Sequence, residues 1–80
     1  MHLKPGHVID IGDREGIVLF NSTIKEKECI VVTFEDKKEI EYQYYEVLER
    51  DNNITVKKLE DEEIISELLI QVTDKVLKNN

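Results

Sequence analysis

Ile30-Val31-Val32-Thr33-Phe34-Glu35-Asp36-Lys37-Lys38-Glu39-Ile40-Glu41-Tyr42-Gln43-Tyr44 decides how this chain folds. Its first five residues are β-branched or aromatic at consecutive positions, which predicts a strand apolar on both faces. The polar run 35–38 closes a hairpin. From Glu39 to Tyr44 the even positions are apolar or aromatic and the odd ones polar, the period of a strand with one face on a core and one in water. The even phase predicts that Tyr42 and Tyr44 point with Ile40 into core or rim packing.

Working toward the N-terminus, 17–21 is a second strand apolar at consecutive positions, and 7–11 is a short strand after the Pro5-Gly6 turn. Between them, 12–16 is a loop whose glycines are expected to supply positive φ. The stretch Ser22 to Glu28 is polar apart from Ile24 and is expected to carry a turn. On the other side, Asp51-Asn52-Asn53 marks a hairpin and 54–57 alternates again. Five short strands, with turns every six to ten residues, point to a small barrel or sandwich over residues 5–59 rather than an α/β fold.

The period changes at residue 61. From 61 to 78 there is no Gly or Pro, and Ile64, Ile65, Leu68, Leu69, Val72 and Val76 recur at helical spacing. Asp61 is placed to cap a C-terminal helix. Glu62 and Glu63 suit the positive end of its dipole, and Lys75 and Lys78 the other. The six apolar residues, with Lys75 among them, occupy an arc of about 140°. A helix this long is marginal alone, so its stripe must dock. The strands at 17–20 and 30–34 need cover on their outer side. The stripe is therefore expected to lie over them, on a set from Val18, Phe20, Cys29 and Val31 or on the alternate set. Ile70 and Leu77 fall on a second, narrower line, which reads either as two scattered surface apolars or as a contact line for a protein partner or another copy of the chain as a homodimer. The whole 1–80 chain reads as a single domain, mainly β with a C-terminal helix (α+β).

Charge narrows the functional classes. The net charge is −7, with nine Lys/Arg against twelve Asp/Glu in 1–58 and two against six in 59–80. Nucleic-acid binders release counterions through a basic surface, so this balance argues against nucleic acid as a partner. Lys25, Lys27, Lys37, Lys38, Lys57 and Lys58 could form a local basic strip for a nucleic-acid accessory factor. They are, however, interleaved with Glu26, Glu28, Glu35, Asp36 and Glu39. The net acidity also raises the alternative of an acidic nucleic-acid mimic.

Catalytic, cofactor and metal chemistry lacks its usual residue patterns, and none is expected. Cys29 is the single cysteine and reads as a small buried hydrophobe. His2 and His7 have neither metal-ligand spacing nor a nucleophile beside them. Glu60-Asp61-Glu62-Glu63 lacks the alternating oxygen spacing of a calcium loop. Gly6, Gly12 and Gly16 match no phosphate-binding loop. No apolar run is long enough to be a signal peptide or to span a membrane, and the lone cysteine agrees with a reducing, cytoplasmic setting.

Gly6 to Val18, with its strand, glycine-bearing loop and Gly before an apolar second strand, resembles the opening of SH3-like barrels of the KOW and Tudor kind. Phe34-Glu35-Asp36 entering a turn is similar to the same pattern, and the resemblance extends over 5–58. It implies a five-stranded barrel that binds proteins, RNA or polymerase subunits and is rarely an enzyme. The chain departs from RNA-binding members in lacking a net basic surface, and from methyl-lysine readers in lacking Trp. Tyr42, Tyr44 and Tyr45 are the aromatics that could contribute to a cation cage.

Overall fold

The computed structural model describes residues 3–36 and 39–78, without the side chains of Asp36, Val76 and Lys78. The expectations for His2, Lys37 and Lys38, and for the side chains of Val76 and Lys78, lie outside the described residues. The chain forms β1 (Val8–Ile11), β2 (Arg14–Ile24), β3 (Lys27–Asp36), β4 (Glu39–Arg50), β5 (Asn53–Lys58) and α1 (Glu62–Lys78). The strands make one five-stranded antiparallel meander in chain order, curled into a nearly closed small barrel.

β2 and β3 are longer than the sequence signals foretold. The expected turn at 22–28 contracts to Lys25-Glu26, both at positive φ, and the flanking residues continue the ladder as Ile24↔Lys27 and Thr23↔Glu28. A turn of this kind favours Gly or Asn, so Lys-Glu gave no warning of it. Lys25 is held from outside: its Nζ donates to Glu63 Oε2 at 2.6 Å and lies 3.8 Å from Asp61 Oδ2. Asp51-Asn52, also at positive φ, is the same kind of turn at the place expected for it.

The sheet is buried on both sides. Inside the barrel, Val18, Ile30, Val32, Phe34 and Val47 form one core, with Leu3, Ile9, Ile11, Tyr45 and Val56 packed against it. On the outer side, Ile24, Cys29, Val31 and Leu59 meet Ile64 and Leu68 of α1, with Phe20, Tyr44, Ile65 and Val72 around them. The helix thus docks on the outer face of β2 and β3 as its stripe required. Asp61 caps it, Oδ1 accepting from the Glu63 and Ile64 amides at 2.9 and 3.4 Å.

Of the contacts expected beneath the helix, Val18 is the exception. It faces the barrel interior, while Phe20 faces the helix. A register shift between them pairs Val18 with Val32 but Phe20 with Val31, leaving Leu19 as an extra residue. This β-bulge reverses the side-chain phase of β2, so two residues that plain alternation places together end up in different cores.

The glycines also divide. Gly12 has φ +65° and turns β1 into β2, as expected. Gly16 has no positive φ. A β-carbon there would stand 2.5 Å from Val32 Cγ1 and 2.8 Å from Phe34 Cε1, so it is the interior packing that excludes a side chain.

Leu68, completely buried between α1 and the sheet, should lose about 2–5 kcal/mol on change to Ala, and Leu68→Asp should unfold the protein. Urea denaturation followed by circular dichroism checks both, and a wild-type-like midpoint for Leu68→Asp would contradict the docking. Gly16→Ala should cost about 1–3 kcal/mol through overpacking, measurable in the same experiment.

Candidate functional site

Strand β4 keeps one phase along its length, but its inward residues turn from apolar to polar, and that change builds the site. In its second half, Tyr45 and Val47 point into the barrel. In its first half, the residues of that same phase are Glu41 and Gln43, which cap one end of the interior. Gln43 Nε2 donates to Glu41 Oε2 at 2.8 Å, and Arg14 Nη1 donates to the same oxygen at 3.1 Å. The Arg14 guanidinium also stacks 4.3 Å above the Phe34 ring. The Gln43 amide first, and then Arg14, hold the Glu41 carboxyl below the usual carboxylate range.

The consequence falls on Ile40 and Tyr42. Their alternation with polar neighbours is as read from the sequence, but their face is the outer one, so they do not join the core. Only Tyr44, the third of that set, reaches the cover of α1. Cross-strand pairing lines Ile17 up with Thr33 and Thr33 with Tyr42, one row beyond the row Phe20–Val31–Tyr44 beneath the helix. That outer row stays open.

The helix contributes the wall of the resulting groove. Gln71 accepts a hydrogen bond from Ser22 Oγ, and Lys75 Nζ sits 5.4 Å from the Phe20 ring centroid. These contacts roll α1 toward one flank of its apolar arc. Ile64 and Leu68 are sealed, whereas Leu69, about 100° further round the helix, is left at the open side. Leu69 was expected in the docked stripe. Instead it lines a hollow with Val72, Leu19, Val31, Tyr42 and Tyr44.

Two further hollows extend this one. Ile17, Leu19, Thr33, Ile40 and Tyr42, with Glu15 and Glu35 at the rim, form the first along the sheet, sharing Leu19 and Tyr42 with the central hollow. Leu69, Ile70, Thr73, Asp74 and Leu77 form the second along α1, sharing Leu69. The apolar surface is therefore continuous from the sheet floor over the helix flank, with Ile40 59%, Tyr42 51%, Leu69 45%, Ile70 63% and Leu77 69% exposed. Contiguous exposure of this kind marks interaction sites, whereas single exposed apolars carry no such meaning.

The site residues read from the sequence thus separate. Ile70, Leu77 and Tyr42 lie on this one surface. Tyr44 is half-buried at its inner margin. Tyr45 lies on the opposite side of the sheet, where burial raises its hydroxyl pKa, so the three tyrosines do not converge into a cage. Ile17, Leu19, Ile40 and Leu69 join Ile70, Leu77 and Tyr42, although the sequence pattern assigned Ile40 and Leu69 to core-facing stripes and gave Ile17 and Leu19 no site role.

The other candidate chemistry is dispersed. Cys29 is buried in the helix-covered core, donates weakly to the Lys27 carbonyl at 3.4 Å and has its thiol pKa raised by burial. Lys25 pairs with Glu63 and Asp61, and Lys27 with Glu46 at 3.9 Å, so two members of the lysine set are neutralised locally. Among the described residues, no group of three His, Cys, Asp or Glu could hold a metal ion, and no helix is long and apolar enough to cross a membrane. A second apolar cleft lies at the barrel seam, where Leu3, Ile9 and Ile11 face Ile54 and Val56. Compared with protein-family models, curated proteins and solved structures, the chain matches none.

Because the Glu41 pKa is lowered on folding, its contribution to stability is present above the unfolded value of about 4.3 and is lost as pH falls through the folded value. Acidification from about pH 6 to about pH 2.5 should therefore lower the urea midpoint more in wild type than in Glu41→Gln. Equal acid losses in the two proteins would show that the Arg14–Glu41–Gln43 cap contributes nothing.

Proposed function

We propose that this protein is a non-catalytic protein-interaction module, docking its partner in the groove between the outer face of β2–β4 and the flank of α1. The observation that carries this reading is the continuity of exposed apolar surface from Ile40 and Tyr42 to Leu69, Ile70 and Leu77. A chain with 36% charged residues has ample polar surface to place there, and leaving large apolar side chains together in water lowers solubility without gain to the fold. Each of them contributes about 1.5–3 kcal/mol gross when a partner covers it fully.

The likeness to KOW and Tudor barrels agrees with this reading, since barrels of that shape commonly bind proteins, RNA or polymerase subunits and few are enzymes, although fold alone does not carry function across. A nucleic-acid accessory role is less well supported. It needs free lysines on the barrel, and Lys25 and Lys27 are already paired with carboxylates.

A photo-crosslinking side chain placed at Tyr42 should give a discrete protein adduct in cells that make this chain. The same group at Thr55, on the far strand β5, should give none, and Leu69→Lys should abolish the adduct from position 42. Equal crosslinking from both positions, or adducts only to nucleic acid, would overturn the reading.

A further inference from the structure

Resting on that reading, we infer that the groove takes a basic amphipathic helix from a partner protein, packed beside α1 with its Lys or Arg residues against Glu15 and Glu35. Three observations lead there.

The first is that the groove offers no sheet edge. Its floor is the face of three paired strands, interrupted by the bulge at Leu19, and its wall is the side of a helix, so away from that residue the backbone groups are engaged in the ladders and in α1. A segment buried there must satisfy its own backbone. An extended peptide would need a sheet edge, whereas a helix brings its hydrogen bonds with it.

The second is space. The open row Ile17–Thr33–Tyr42 lies two residues along the strands from the helix-covered row Phe20–Val31–Tyr44, a step of about 7 Å. Ile40 lies a further two residues along. The contacts of Lys25 with Glu63, Ser22 with Gln71 and Phe20 with Lys75 run α1 along β2, with Leu69 turned toward Tyr42 and Tyr44. A neighbouring helix about 8–10 Å from α1 therefore lies over the β3–β4 side of the sheet and reaches these rows at its end, with Leu69 and Thr73 presented to it.

The third is charge. Glu15 and Glu35 both stand at the rim of the groove, beside Ile17 and Ile40. Among the described residues, neither carboxylate has an ion-pair partner, and two carboxylates lining one hollow repel each other. A cationic side chain bridging the two relieves that repulsion. A second copy of this chain, at net charge −7, would bring acid to acid, and its one helix already lies with its sealed face on its own barrel.

The test uses the full chain, isotopically labelled, with a designed helical peptide of about 18 residues carrying Leu on one face and Lys on the other. Two controls accompany it: the same peptide with Glu for Lys, and a scrambled Leu/Lys peptide of identical composition. The Leu/Lys helix should shift the amide resonances of Thr33, Tyr42, Leu69 and Thr73. Leu69→Lys, checked for unchanged melting because the residue is exposed, should abolish binding. Glu15→Lys/Glu35→Lys should weaken it about tenfold and remove most of its salt dependence.

Equal binding of the Leu/Glu helix in the groove would overturn the basic partner and leave the docking reading standing. Shifts confined to the seam between β1 and β5, or equal binding of the scrambled peptide, would overturn the helical occupant. A wild-type dimer by light scattering that Leu69→Lys converts to a folded monomer would assign the groove to a second copy instead.

Discussion

Ile30, Val31 and Val32 are all buried although they alternate between the two faces of β3, and this two-sided burial is the constraint on which the rest of the fold depends. One face can be covered by rolling the sheet upon itself, which yields the barrel and its interior of Val18, Val32, Phe34 and Val47. The other face cannot be covered by strands without a second sheet. In this chain α1 covers it through Ile64 and Leu68. With 80 residues the molecule has too few apolar side chains to do without either core.

The bulge at Leu19 makes the two cores compatible. Without the extra residue, Phe20 would follow Val18 into an interior already crowded enough to exclude a β-carbon at Gly16. With it, β2 supplies the interior before the bulge and the helix interface after it, where Phe20, Ser22 and Ile24 all face α1. The bulge leaves Leu19 on the outer side, where it shares a hollow with Leu69 and Val72, and Ile17 lies further along the sheet on the same side. The exposed groove is thus a by-product of how the two cores are reconciled, and its acidic rim lies where the strands pass beyond the helix.

Much of the architecture is legible from local pattern. The strand cores, the Asp51-Asn52 hairpin, the Asp61 cap and the helical stripe are short-range signals, set by neighbours within a few residues. A turn within 22–28 was legible, but its tight form at Lys25-Glu26 was not, because neither residue favours positive φ and its support comes from Glu63 and Asp61, far along the chain. For the site, Ile70 and Leu77 were recognisable because they fall off the helical stripe. Ile40 and Tyr42 misled for the opposite reason. Their clean alternation is the pattern of a core face, and only the Arg14–Glu41–Gln43 cap on the other side reveals that their face is the outer one.

What the sequence by itself determined is the set of elements and the need for two covers, because periodicity and two-sided strands are properties of a few consecutive residues. Which side of each strand faces which cover was decided only in the tertiary structure. A single inserted residue in β2 reverses every side chain after it, and the roll of α1 set by Ser22, Gln71, Phe20 and Lys75 chooses which part of its stripe is sealed. These are long-range choices among faces that look alike locally, and they leave Leu69 and Tyr42 side by side in the open.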